Sequence, residues 1–326
     1  LYTLPTLDAE PEVLIDPNKL SEDGTVALSG IAISKDSQYI AYGISKAGSD
    51  WQEWRIKNID TGEHLPDVLQ WIKFYIPTWK KDSQGLFYSR YEQPKEGKLK
   101  ETNYLHKVYY HSLGKSQDND VLIYEKPDRK EWSFNCYITE DSKYLIITVW
   151  QSTDRKNLVF YQDLTIPDAP IVELISEFEA VYSLIDNDNN IFWFVTDFDA
   201  PKRRVIAIDI NNPPSPSLVK GDNQDKWQEI IPEATYALQG VGTLNNQFVA
   251  FYLKDAHTQI KIFNLDGSPV RDVELPGIGS VGGFYGRRYD TTTFYSYVSF
   301  TTPSTIYQYD MVSGESKIYR LSLIHI

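Results

Sequence analysis

The stretch LPGIGSVGGFYG, Leu275 to Gly286, places Gly277, Gly279 and Gly282 at the spacing GxGxxG. A dinucleotide-binding fingerprint needs a strand running through such glycines into the first turn of a helix, where bare backbone amides face a pyrophosphate. After Gly282 and Gly283 the chain reads FYGRRYDTTTFYSYVSF, aromatic and β-branched with a turn at Asp290, and that pattern starts no helix. The glycines are therefore expected to lead into an inner strand of a small sheet, where the absence of side chains lets backbones approach closely.

Working outward, the same pattern of a polar turn followed by an apolar strand recurs along the chain. It is seen in KDSQYIAYG at Lys35, KDSQGLFYS at Lys81, EDSKYLIIT at Glu140, NDNNIFWFV at Asn187, LNNQFVAFY at Leu244 and YDTTTFYSYV at Tyr289. A second motif, an apolar strand closing on a polar turn, interleaves with it and ends at Asp8, Asp60, Leu113, Asp163, Asp209, Asp266 and Asp310. Both repeat at intervals of roughly 50 residues, the length of one four-stranded propeller blade. The strands are rich in Tyr, Phe, Trp, Ile and Val, and Asp, Asn, Ser and Gly punctuate the turns. No segment carries sustained helical periodicity. The fold expected is all-β, a seven-bladed β-propeller whose first blade is incomplete, because LYTLPTLDAEPEVLID has no turn-and-strand pair ahead of it. Residues 1–18 supply the outer half of that blade, and the others run over 30–72, 73–126, 132–176, 178–233, 236–275 and 279–322.

Composition narrows the function. A formal charge of -13 repels nucleic-acid backbones and anionic lipid, so neither is an expected partner. The lone cysteine, Cys136, allows no disulfide within the chain and is read as a small buried residue. No apolar run reaches the roughly 20 residues that span a bilayer. A cytoplasmic location is expected, with the periplasm as the alternative, since the chain starts at Leu1 and its one methionine is Met311.

Several stretches together resemble the propeller of the prolyl oligopeptidases, serine peptidases that cut short peptides after proline. They are LSEDGTVALSGIAISKDSQYIAYGISKAGSDWQEWRI, LPDVLQWIKF, KVYYHSLG, DVLIYEKPD, TDFDAPKRRVI, LPGIGSVGGFYGRR and FYSYVSFTTPSTIYQYD. They occur in the family's order over nearly the whole chain. The resemblance implies a parent enzyme in which the propeller caps an α/β-hydrolase domain, acting as a monomer on short proline-containing peptides without a cofactor. It implies no catalytic residue in this chain, because the family's catalytic machinery comes after the propeller. The tail LSLIHI departs from the family's continuation, and a truncated reading frame is expected, with residues 323–326 foreign to the family. The resemblance also implies that Lys126, Tyr182 and Lys202 face the hydrolase and line the pocket for substrate residues upstream of proline.

The residues themselves offer little other chemistry. The closest approach to a nucleophile elbow, IGSVG around Ser280, has Ile278 in place of the first glycine. The five histidines, His64, His106, His111, His257 and His325, are assigned to separate blades or the terminus, show no metal-ligand spacing and are read as surface residues. Asp36, Asp60, Asp141, Asp188 and Asp266 are read as turn caps, not as the inward carboxylates of a glycosidase-type propeller. Lys202, Arg203 and Arg204 form a basic cluster that faces either the channel or solvent. A stand-alone protein-binding propeller is the alternative, although WD and kelch signatures are missing.

Overall fold

Three copies of one turn show how the repeats are built. In Lys35–Asp36–Ser37, Lys81–Asp82–Ser83 and Glu140–Asp141–Ser142, the serine takes a positive φ of 62°, 56° and 63° respectively. The aspartate before it accepts a hydrogen bond from the amide after it, at 3.1, 3.0 and 3.0 Å. A side chain that mimics the backbone in this way makes the reversal local, so the flanking residues pair as soon as the chain turns. Asp266 caps in the same manner, accepting from the Ser268 amide at 2.9 Å. Asp60 does not: Asn58 closes that turn, and Asp188 instead lies 3.8 Å from Arg288.

The computed structural model describes residues 1–94, 103–214, 218 and 226–321; the tail 323–326 and His325 lie outside them. It begins with a ribbon of β1 (Tyr2–Thr3) and β2 (Glu12–Val13). Six four-stranded antiparallel sheets come next, each a meander of four consecutive strands. Sheet I holds β3 (Val26–Ile33), β4 (Tyr39–Lys46), β5 (Trp51–Asn58) and β6 (His64–Lys73). Sheet II holds β7 (Thr78–Trp79), β8 (Gly85–Arg90), β9 (Lys107–Ser112) and β10 (Val121–Tyr124). Sheet III holds β11 (Trp132–Ile138), β12 (Tyr144–Gln151), β13 (Asn157–Asp163) and β14 (Ile171–Ile175). Sheet IV holds β15 (Tyr182–Asp188), β16 (Ile191–Thr196), β17 (Arg204–Asp209) and β18 (Trp227–Ile231). Sheet V holds β19 (Ala237–Leu244), β20 (Gln247–Lys254), β21 (His257–Asn264) and β22 (Pro269–Asp272). Sheet VI holds β23 (Ser280–Tyr285), β24 (Thr292–Val298), β25 (Thr305–Asp310) and β26 (Ser316–Leu321).

The repeats predict seven blades with the first incomplete, and the described residues form six four-stranded blades, not seven, preceded by a two-stranded ribbon. The first sixteen residues contribute only the β1–β2 ribbon, because two strands of two residues cannot present the faces that a four-stranded blade buries. In sheets I to V the second strand is largely apolar and mostly buried, as in YLIITVWQ of β12, whereas β24 of sheet VI and outer β6 alternate buried positions with more exposed ones. Contacts divide the chain into two units, Leu1–Asp154 with Val159–Val172, and Arg155–Leu158 with Glu173–Ile326. In the first, Trp54, Ile56, Leu69 and Ile72 of sheet I pack with Trp79, Leu86 and Tyr88 of sheet II. In the second, Trp193 and Val205 of sheet IV pack with Phe248 and Tyr252 of sheet V, and Val249 and Ile260 of sheet V pack with Tyr295 and Tyr309 of sheet VI.

The GxGxxG stretch leads straight into β23, with no helix after it. A Cβ on Gly279 would lie 2.6 Å from both the Tyr297 ring and the Val298 carbonyl oxygen. Gly283 sits at φ +123°, and a Cβ there would lie 2.6 Å from the Phe294 carbonyl oxygen. Gly279 and Gly283 serve close approach between neighbouring strands.

Candidate functional site

In every sheet one end carries the loop between the second and third strands, and each residue assigned to the substrate pocket lies at that end of its own sheet. Tyr182 opens β15 and pairs with Thr196 at the end of β16; Lys202 lies in the β16–β17 loop immediately after it. Lys126 comes after β10, whose Tyr124 pairs with Val108 near the start of β9, at the corresponding end of sheet II. Tyr182 and Lys202 thus share one sheet end.

The environments of the three differ. Lys126 is half-buried, and its carbonyl accepts from the Arg129 amide at 3.0 Å, closing the turn after β10. Tyr182 is only 1% exposed; its hydroxyl donates to Glu179 Oε1 at 2.8 Å, and Asn157 brackets its backbone, accepting from its amide at 2.8 Å and donating to its carbonyl at 3.0 Å. Glu179 Oε1 also accepts from the Leu218 amide at 2.9 Å. Lys202 is exposed, and its ammonium donates to the Thr235 carbonyl at 2.6 Å. The neighbouring basic residues close the same loop: Arg203 donates to the Gln239 carbonyl at 3.2 Å, and Arg204 donates to the Phe198 carbonyl at 2.6 Å while pairing with Glu229 at 3.0 Å. The three cations therefore brace a loop.

The corresponding ends of sheets V and VI are apolar. Ala256, His257, Ile278, Gly279, Ser280, Val298, Ser299 and Phe300 line a cleft of about 290 Å³, with Ile278 77% exposed and Phe300 fully exposed. His257 and Ser280 both face this cleft, yet no hydrogen bond joins them among the described residues.

Two of the histidines, His106 and His111, depart from the reading of surface residues in separate blades, whereas His64 is exposed. His106 and His111 both belong to sheet II or the loop leading into it, and both are buried. His111 lies between two carboxylates, with Nδ1 2.7 Å from Asp120 and Nε2 2.8 Å from Asp67. Asp67 also accepts from the Gly114 amide at 2.6 Å, and Asp120 accepts from the Tyr88 hydroxyl at 2.6 Å. Burial opposes the imidazolium, but the hydrogen bonds and charges of Asp120 and Asp67 outweigh it and raise the pKa to about 9. The cluster ties β6 of sheet I to sheet II. His106 is the opposite case: Nδ1 accepts from the Phe134 amide at 2.9 Å, the ring packs on Tyr91 at 4.2 Å, and burial pushes its pKa down to about 3. Sequence spacing could not find either one, since Asp67 and His111 are 44 residues apart.

Successive four-stranded meanders with this strand order define a β-propeller domain. Residues 2–322 match the family described as prolyl oligopeptidase, N-terminal beta-propeller domain, and the chain belongs to that family. It is 34% identical over 310 residues to the prolyl endopeptidase of Elizabethkingia meningoseptica, covering 95% of this chain and 42% of the relative. It is 28% identical over 347 residues to the prolyl endopeptidase of Dictyostelium discoideum, covering 94% and 45%. Among solved structures it resembles one from a structural and mechanistic study of two prolyl endopeptidases, with a TM-score of 0.86, 28% identity and 95% and 44% coverage. It also resembles prolyl oligopeptidase B from Galerina marginata bound to a 35mer hydrolysis and macrocyclization substrate, with a TM-score of 0.85, 25% identity and the same coverage. The chain thus spans less than half the length of these relatives.

Proposed function

We propose that this propeller is the substrate-gating domain of a prolyl oligopeptidase, a serine endopeptidase that hydrolyses short peptides on the C-terminal side of proline. The observation that carries the reading is the family match over residues 2–322 in relatives more than twice as long. In the whole enzyme a seventh blade completes the ring, the molecule is a monomer, and an α/β-hydrolase domain supplies the Ser/Asp/His triad. That domain sits against the sheet ends carrying the loops between second and third strands. Two features support this placement: Lys126, Tyr182 and Lys202 all lie at such ends, and Ile278, Val298 and Phe300 expose apolar surface at the same ends of sheets V and VI. Large exposed apolar surface marks an interaction site. Lys126 and Lys202 each then add positive charge at the hydrolase-facing end of their own sheet, and buried Tyr182 contributes by holding Glu179. The narrow passage through the domain admits peptides and excludes folded proteins.

The test is a chimera joining this chain to the remaining segments of the Elizabethkingia meningoseptica relative. The chimera is expected to hydrolyse a short proline-containing peptide and to spare a folded protein, while residues 1–326 alone hydrolyse neither. A folded chimera that is inert, or activity in the isolated chain, overturns the reading.

A further inference from the structure

The turns that join the first two strands of sheets IV, V and VI interlock. All three sheets belong to one of the two units, and within it β15 lies next to β19 and β19 next to β23, so these first strands are the ones around which the sheets are arranged. In sheet V the turn is Asn245–Asn246, with both residues at positive φ, 48° and 54°, as a two-residue hairpin turn of this hand requires. Both amides go to the neighbouring turn. Asn245 donates to the Asp290 carbonyl at 3.1 Å and Asn246 to the Arg288 carbonyl at 2.8 Å, between β23 and β24 of sheet VI. On the other side, Asp186 Oδ2 of β15 accepts from Thr243 Oγ1 of β19 at 3.0 Å.

Arg288 is 7% exposed and reaches both other sheets. Its Nε donates to Asn246 Oδ1 at 2.8 Å, and Nη1 donates to the Asn187 carbonyl of β15 at 2.6 Å. Arg288 and Asn187 are 101 residues apart, with all of sheet V between them in the chain. The charge is met by Asp186 Oδ2 at 3.9 Å and Asp188 Oδ2 at 3.8 Å, and the guanidinium lies 5.3 Å from the Trp193 ring centroid and 5.7 Å from that of Tyr289. A rigid planar fork can hold two acceptors in different directions, which a point charge on a flexible stem cannot. Asp186 and Asn187 are buried, so removing the guanidinium takes a cation from a buried carboxylate and a donor from a buried carbonyl.

We propose that Arg288 is a latch that makes these turns of sheets IV, V and VI open as one cooperative unit. A bridge between adjacent sheets couples only that pair, as Arg271 of β22 does by donating to the Met311 and Val312 carbonyls at 3.2 and 3.0 Å. Arg288 skips a sheet. The sheet IV turn cannot part from the sheet VI turn without releasing the guanidinium, and that release also frees Asn246 between them. Local opening in proteins runs through such contiguous units, whose size is set by the contacts that tie their parts together. The inference needs the propeller fold and the side chains around Arg288, and it stands whether or not the peptidase reading does.

The test is hydrogen–deuterium exchange of residues 1–326, read by mass spectrometry in segments 186–191, 243–247 and 285–291. In Arg288→Met, exchange should speed up about tenfold or more in all three segments together. Arg288→Lys keeps the charge and loses the fork, so it should release segment 186–191 as well. Arg271→Met cuts a bridge between adjacent sheets and should leave 186–191 at the wild-type rate. If Arg288→Met fails to fold, Asn246→Gly decides: glycine accepts the positive φ, and only an exposed side chain is lost. Exchange at 186–191, in a different sheet from the substitution, should then rise about threefold or more. Separate responses of the three segments in folded Arg288→Met, wild-type rates at 186–191 in Arg288→Lys or Asn246→Gly, or release of 186–191 by Arg271→Met overturns the proposal.

Discussion

His111 and His106 set opposite limbs of the pH dependence of stability. His111 binds its proton more tightly folded, at a pKa near 9, than unfolded, at about 6.5. Its contribution is fully present below about pH 6.5 and is lost as pH rises through 9. His106 binds its proton less tightly folded, near pH 3, so its contribution is present above about pH 6.5 and is lost as pH falls toward 3. Chemical denaturation from pH 4 to 10 is therefore expected to show greatest stability near neutrality, each histidine giving a limb of at most about 1.4 kcal/mol per pH unit. His111→Gln should flatten the alkaline limb and leave the acid one, and a variant that keeps both limbs would rule out this assignment. Cys136 is equally a product of burial: it is 2% exposed, and desolvation pushes its thiol up to about 12. An aromatic disulfide reagent should label it only on the timescale of unfolding, whereas prompt labelling of native protein would show that the site opens locally.

Elements in this chain are decided by strand spacing as much as by propensity, and the glycines of LPGIGSVGGFYG separate the two. Gly282 belongs to the GxGxxG pattern, but a Cβ there would meet nothing closer than Ser296 Oγ at 3.6 Å. Gly283 lies outside the pattern and carries both the positive φ and the collision with the Phe294 carbonyl. Gly282→Ala should leave the thermal midpoint nearly unchanged, while Gly283→Ala should cost about 2–3 kcal/mol. The reverse order in thermal melts would indicate that the glycines serve the dinucleotide pattern, not the strand pair. A bulge in β6 at Trp71 makes the same point: its register shift against β5 is invisible in an HLPDVLQWIK run that otherwise alternates as an outer strand should.

At the scale of the whole molecule, the two lysines proposed to face substrate offer a test in the proposed full-length peptidase. Lys126→Ala with Lys202→Ala should lower the preference for acidic over neutral residues upstream of proline by about fivefold or less. Partly solvated ion pairs contribute only about 0–1 kcal/mol each, and the Lys202 ammonium is already hydrogen-bonded to Thr235. The kcat/KM ratio for the two peptide classes is the measurement, and an unchanged ratio would mean that neither lysine faces substrate. Tyr182 differs from the two lysines it aligns with, because resemblance matches backbones and says nothing of which side chain ends up buried.

The amino-acid sequence by itself determined what local chemistry controls. Aspartate–serine turns, apolar strand runs and their repeat made the meanders legible, because a turn depends on residues three or four apart and a strand face on alternate ones. The six four-stranded blades were legible from the repeats, and the described structure adds the short ribbon of Tyr2–Thr3 and Glu12–Val13 ahead of them. Tertiary structure alone decided the burial of His106 and His111, the bracing of Lys202, Arg203 and Arg204 against backbone carbonyls, and the reach of Arg288 past sheet V. Each of these depends on groups brought together from distant parts of the chain, such as Asp67 against His111 or Arg288 against Asn187, and no local pattern encodes which of them will meet.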